Sequence, residues 1–241
     1  MTSEYSGPSV SYLHGLLSGV ECLLLDFDGP VCRLFSGYPA GDVAATMRAY
    51  LADHGRPVTD AGLIVSTDPH EILRAVTDSA LSAGMELLLT EAEEKAARVA
   101  EPTLLADAFI RAVVKSGRAV AITTNNAPSA VDAYLQEHDL KDVFEQRIFG
   151  RSTKDPALMK PHPDCLLRAV EAVGVRAEAC LMIGDSVADA EAARAANVPF
   201  LGCVRSKRRV ARLQGAEFRP VVVGMSDLAA AAAGLSVRPN G

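Results

Sequence analysis

The chain reads as a doubly wound, Rossmann-like α/β fold with a parallel sheet and a small α-helical cap, and three observations predict it. Six short apolar runs stop abruptly at polar residues, Ala-rich helical patterns lie between them, and one stretch, residues 36–101, breaks the alternation. Apolar runs this short, without polar alternation, suit strands covered on both faces, as in a parallel sheet. Strand, helix, strand, repeated, is the signature of a doubly wound domain.

The strands are expected at 22–25, 119–123, 147–149, 180–183, 200–204 and 220–223. Between them, helices are expected at 129–138, at 163–173 and at 187–196, the second with Pro163 near its start and Gly174 just past its end. Residues 36–101 read instead as three helical segments, 42–54, 69–83 and 90–100. They are punctuated by Gly37-Tyr38-Pro39, Gly55-Arg56-Pro57 and Gly84. The expected division is therefore a core of residues 1–35 and 103–241 with a helical cap at 36–102. That insertion leaves the loop after the first strand, beside the carboxyl ends of the sheet, where open α/β folds bind ligands. Residues 235–241 look like a frayed tail.

Composition narrows the function classes. With 49% hydrophobic residues among 241, the chain can close a core, which excludes disorder for most of it. A net charge of -6, with no long Lys/Arg stripe, argues against nucleic acid and anionic membranes as partners. The 5 cysteines are scattered with no C-x-x-C pair, which points to buried free thiols rather than a disulfide framework or a zinc knuckle. No window approaches the roughly 18 uninterrupted apolar residues of a membrane span. Glu4 and the missing basic segment argue against a signal peptide, so a cytoplasmic location is expected.

Chemistry concentrates at the strand ends. The first strand ends in Asp26-Phe27-Asp28-Gly29-Pro30, the second in Thr123-Thr124-Asn125-Asn126, and the fourth in Gly184-Asp185-Ser186-Val187-Ala188-Asp189. Carboxylates gathered at one sheet edge repel one another by on the order of 4 kcal/mol per close pair, so they call for a cation. Oxygen donors without His or Cys favour a hard ion, Mg²⁺ first. Lys160, in Met159-Lys160-Pro161-His162-Pro163, brings a compact positive charge from a loop into a helix. The Thr124 hydroxyl, the Asn125 amide and the backbone N–H groups of Phe27 and Asp28 can cradle an anion. Together these groups suit a phosphate dianion beside a nucleophile.

Asp26-x-Asp28-Gly29, Thr124-Asn125, Lys160-Pro161-x-Pro163 and Gly184-Asp185-Ser186-x-x-Asp189, in this order, resemble the four motifs of the haloacid dehalogenase (HAD) superfamily. The resemblance covers roughly residues 20 to 205. The insertion is similar to the helical C1 cap of the phosphoglycolate phosphatase-like branch. The resemblance implies a Mg²⁺-dependent phosphatase acting on a small phosphorylated metabolite. Asp26 matches the nucleophile, Asp28 the general acid and base, Thr124 the phosphate-positioning hydroxyl and Lys160 the charge-compensating lysine. The metal ligands would be Asp26, the Asp28 backbone carbonyl and Asp185, with Asp189 as a further ligand or as the group orienting Lys160. A second acid two residues after the nucleophile favours a phosphate ester over a halide. Pro30 departs from the family pattern, where Thr or Val is usual, and alters the rigidity of that loop.

Some readings stay open on the sequence. A sugar-phosphate mutase-like phosphoryl transferase and a non-catalytic HAD-fold binding protein both fit the motifs. His138-Asp139 reads as an exposed helix end, and Arg205 through Arg209 as a solvated face, with the alternative that this loop after the fifth strand passes near the active site. Arg33, Tyr38, Arg56 and His70 are conceivable substrate contacts that nothing in the sequence ranks.

Overall fold

The computed structural model describes residues 5–238. The N-terminal Glu4 and the last three residues of the expected tail lie outside the described residues. Helix α1 (Val10–Gly19) precedes strand β1 (Cys22–Leu25) and the short β2 (Cys32–Arg33). Four helices follow, α2 (Ala40–Asp53), α3 (Ala61–Val65), α4 (Pro69–Arg74) and α5 (Ser79–Ala97), before β3 (Glu101–Pro102). The alternation then runs α6 (Ala106–Lys115), β4 (Ala119–Thr123), α7 (Pro128–Glu137), α8 (Lys141–Phe144), β5 (Ile148–Phe149) and α9 (Asp164–Val173). It closes with β6 (Cys180–Gly184), α10 (Val187–Ala195), β7 (Phe200–Val204), α11 (Lys207–Gly215), β8 (Val221–Val223) and α12 (Ser226–Ala233).

Six strands form one parallel sheet in the order β5-β4-β1-β6-β7-β8. Strand β1 sits between β4 and β6, so the chain switches direction across the sheet at its carboxyl end, which is where such folds open a crevice. Alternate residues of the strands point to opposite faces. Leu23, Leu25, Val120, Ile122, Leu181 and Ile183 join one apolar cluster with residues of α1, α6, α7 and α12. Cys22, Leu24, Ala121 and Met182 join a second with residues of α9 and α10. All five cysteines are free and buried.

The helices between β2 and β3 build their own cluster, in which Val43, Met47, Leu51, Ile72, Leu73, Met85 and Leu89 meet. Two expectations are corrected here. The segment expected at 69–83 ends at Arg74, because the Asp78 carboxylate accepts from the N–H groups of Ala80 and Leu81 and starts a new helix there. Gly84 does not break that helix. It lies inside α5, and the Tyr50 hydroxyl occupies the space a Cβ would need. Helix α5 also joins two clusters, since Leu89 and Ala92 pack in the insertion while Ala96 and Ala97 pack against the sheet. The segment before the C-terminus is held rather than frayed: Arg238 N–H donates to the Ser116 carbonyl at 3.0 Å. No helix among the described residues is long and apolar enough to cross a membrane.

Candidate active site

Strand β1 delivers Asp26 to the crevice, and the chain then turns sharply. The Phe27 carbonyl accepts from the N–H groups of Val31 and Cys32, while the Gly29 carbonyl accepts from the Thr103 hydroxyl at 2.6 Å. Gly29 is required: its φ is +143°, and a Cβ there would lie 2.8 Å from the Asp185 carboxyl carbon. Pro30 is buried in this turn. The N–H groups of Phe27 and Asp28 donate to no other described residue, so proline at 30 leaves the anion-binding amides of the loop intact. The Asp28 carboxylate is fixed by the Leu34 N–H at 3.0 Å.

Lys160 crosses from its loop to the same point and is only 2% exposed. Its ammonium donates to Asp26 Oδ1 at 2.8 Å, to the Thr123 carbonyl at 2.9 Å and to Asp189 Oδ1. The other Asp189 oxygen accepts from the Ser186 N–H at 3.0 Å and hydroxyl at 2.7 Å, so both of its oxygens are engaged. Asp189 thus acts through Lys160 and through the start of α10. Asn125 behaves similarly. Its carbonyl oxygen accepts from the Lys160 N–H at 2.7 Å and its amide donates to the Lys160 carbonyl at 3.2 Å, a two-way clamp on the lysine loop. That leaves the Asn125 backbone N–H, rather than its side chain, for an anion. Thr124 is buried, and its hydroxyl donates to Asn126 Oδ1 at 2.9 Å.

These groups line one cavity of about 260 Å³. Asp26, Asp28, Thr124, Asn125, Lys160, Asp185 and Asp189 form its floor, and Phe35 with Thr67, Asp68 and His70 of the insertion form its roof. Of the contacts the sequence left unranked, only His70 reaches this cavity. Arg33 pairs with Glu101 on the exposed β2 and β3 ladder, and Arg56 lines a separate cavity within the insertion. Tyr38 packs into the apolar clusters. His162 caps α9, accepting the Asp164 N–H at 3.2 Å.

The electrostatics follow from burial. Desolvation, reinforced by the charges of Asp189 and Asp185 and opposed by Lys160, pushes Asp26 up to about 7. Desolvation and Asp189, opposed by Arg209, push Asp185 up to about 6. Burial also raises Asp28 above the ordinary carboxylate range. Burial would lower Lys160, yet Asp189 and Asp26 outweigh it and keep the ammonium charged. Asp26, Asp185 and Asp189 offer oxygens that lie within 4.8 Å of one another. An all-oxygen set, with Asp26 and Asp185 raised by burial and by their carboxylate neighbours, fits a hard divalent cation.

One site contact and a neighbouring ion cluster escaped the sequence reading. Arg209, taken for part of a solvated face, donates to Asp185 Oδ2 at 2.7 Å. Glu86, Glu93 and Arg151 form a buried ion cluster beside Asn126. The usable signal was on helix α5, where Glu86 and Glu93 share the helix face of Met85, Leu89 and Ala92. Acids on a core-facing stripe announce a buried partner.

The haloacid dehalogenase-like hydrolase family model matches residues 20–197. The chain belongs to this family. A phosphoglycolate phosphatase from Xylella fastidiosa is 30% identical over 186 residues, covering 74% of this chain and 78% of that protein. One from Nitrosococcus oceani is 42% identical over 81 residues, and that match spans 34% of this chain and 35% of that protein. Among solved structures, a HAD hydrolase from Entamoeba histolytica has a TM-score of 0.66 at 16% identity, covering 88% of this chain and 99% of that one. A HAD family hydrolase from Deinococcus radiodurans, with bound phosphate and sodium, has a TM-score of 0.58 at 21% identity and covers 92% of this chain and 100% of that one. These likenesses establish the shared fold of the HAD hydrolases.

Proposed function

We propose that this HAD hydrolase is a Mg²⁺-dependent phosphatase that hydrolyses a small organic phosphate monoester through an aspartyl-phosphate intermediate. One observation carries the reading: Asp26 and Asp28 leave the central strand into a cavity of about 260 Å³, with the Lys160 ammonium 2.8 Å from Asp26. Lys160 fixes the Asp26 carboxylate by one oxygen, and a carboxylate oxygen of Asp26 attacks phosphorus as the ester P–O bond breaks. Asp28, held by the Leu34 N–H and raised by burial, is the acid that protonates the departing oxygen. It then takes the proton of the water that attacks the aspartyl phosphate and restores Asp26. The N–H groups of Phe27, Asp28 and Asn125 orient the phosphoryl oxygens, and the Thr124 hydroxyl joins them by turning its proton from Asn126 Oδ1 to the bound phosphate.

Asp26, the Asp28 carbonyl and Asp185 would hold the Mg²⁺, with Asp189 positioning Lys160. When bound, the ion neutralises phosphoryl charge and draws the carboxylates together. Residues 36–102 serve as the cap, which excludes bulk water and reads the leaving group, in a protein of the cytoplasm. The cavity volume suits a metabolite rather than a phosphoprotein, and its relatives put phosphoglycolate first among the esters to try.

The deciding experiment is phosphate release from a panel of small esters, with and without Mg²⁺, beside Asp26→Asn. Turnover that needs Mg²⁺ and vanishes in the variant is the expected result. Absence of release from every ester, in a folded protein that binds Mg²⁺, would sink the phosphatase reading.

A further inference from the structure

Glu93 belongs to the insertion by sequence, yet three of its partners belong to the core. Its side chain is fully buried. Oε1 accepts from Asn126 Nδ2 at 2.8 Å, and Oε2 accepts from the Ala127 N–H at 2.8 Å and from Arg151 at 2.6 Å. Oε1 also faces His70 Nε2 at 3.0 Å, on the cavity roof, while His70 Nδ1 lies 3.3 Å from Asp68. Burial opposes a charge on His70, yet the Asp68 and Glu93 carboxylates beside its two ring nitrogens outweigh it and push its pKa up to about 9, which favours the charged ring.

Asn126 connects this carboxylate to the phosphate loop, because its Oδ1 accepts from the Thr124 hydroxyl and its own N–H donates back to Thr124 Oγ1 at 3.1 Å. Arg151 adds a second tie, donating to the Asn125 carbonyl at 3.1 Å. Every bond is oriented so that one acid on helix α5 sets the position of residues 124–127. We infer that Glu93 is a positioning residue for the phosphate loop, so that seating of the cap on the core governs how well Thr124 and Asn125 hold the phosphoryl group. This rests on the phosphatase reading and adds that the cap contributes to rate and not to substrate choice alone.

Glu86 supplies the comparison, since it pairs with the same Arg151, at 2.9 Å, and makes no hydrogen bond to residues 124–127. Glu93→Gln, Glu93→Asp and Glu86→Gln are to be compared in two measurements. The first is kcat and KM for the preferred ester; the second is a calorimetric titration with inorganic phosphate in the presence of Mg²⁺. Both Glu93 variants are expected to lower kcat by about 10- to 100-fold, the cost of displacing a positioned group by up to about an ångström, and to weaken phosphate binding. Glu86→Gln is expected to lower thermal stability while leaving both measurements near wild type. Glu93→Asp keeps the charge that holds Arg151, so it remains informative if Glu93→Gln does not fold.

Equal effects of the Glu86 and Glu93 variants, or wild-type kcat and phosphate affinity in Glu93→Asp, would overturn the inference. So would the absence of phosphate binding by every protein tested. A wild type that binds phosphate but hydrolyses no ester removes the phosphatase reading instead, and the titration alone then decides the part played by Glu93.

Discussion

Two clusters of buried charge meet at the carboxyl edge of the sheet, and they are balanced differently. Around Lys160, the four carboxylates of Asp26, Asp28, Asp185 and Asp189 form ion pairs with only Lys160 and Arg209 among the described residues, and Asp26, Asp28 and Asp185 all titrate above their ordinary range. Around Arg151, the buried Glu86 and Glu93 face Arg151 and His70, and charge and hydrogen bonds hold Glu93 below its ordinary range although burial opposes this. The second cluster is satisfied by the protein itself. The first is short of positive charge, and a surplus of this sign in a cavity marks a place where a ligand completes the structure. The difference separates a site from a brace, although both look alike as lists of salt bridges.

The sharpest way to break this contrast is at Asp26. Asp26→Asn should cut phosphate release by at least about 10³-fold, as loss of a nucleophile does elsewhere, without lowering the thermal midpoint of the metal-free protein. A clear fall in that midpoint would mean that the Lys160 cluster is as satisfied as the Arg151 one. At Arg151 the expectation is reversed. Arg151→Met leaves two carboxylates buried without their cation and should destabilise the fold by about 3–5 kcal/mol in urea unfolding, whether or not metal is present. Next in size, Asp185→Ala should weaken Mg²⁺ binding by about 10- to 100-fold in a calorimetric titration, the range seen when a metal site loses a supporting group.

The smallest effect is the pH dependence of the metal-free protein. Asp26 and Asp185 have folded values of about 7 and about 6, above the ordinary carboxylate range, so their protonated forms favour folding. That contribution is complete below the ordinary range and is lost as pH rises through 6 to 7. Glu93 has the opposite sign, contributing stability above the ordinary range that is lost on acidification. The thermal midpoint should therefore fall as pH rises from 5 to 8, and Asp26→Asn or added Mg²⁺ should flatten the slope. A midpoint that climbs over this interval would show the balance of the two clusters to be wrong.

The sheet was legible because strands buried on both faces leave a strong mark. The runs 22–25, 119–123 and 200–204 coincide with β1, β4 and β7 to the residue. Asp26, Thr124 and Asp185 were legible for a related reason, since each follows directly on a strand and the parallel sheet gathers those ends. What escaped depends on partners distant in sequence. Nothing near Arg209 signals that Asp185 lies 2.7 Å away, and nothing near Asn125 signals that its side chain is occupied by the Lys160 backbone. Gly84 reads locally as a break, and only Tyr50, from α2, explains why α5 runs through it.

Helix α5 also bears on how this protein can be recombined with its relatives. Its first turns belong to the insertion's apolar cluster, whereas Ala96 and Ala97 are embedded beside the sheet. A chimera that imports a foreign insertion through residue 102 would replace two alanines fitted to the host sheet along with the acid that braces the host loop. The workable seam lies inside the helix, after Leu89 and before Glu93, where one rigid rod is shared by donor and host. Specificity in this scaffold is then exchanged by splicing a helix rather than by swapping a module at its linkers.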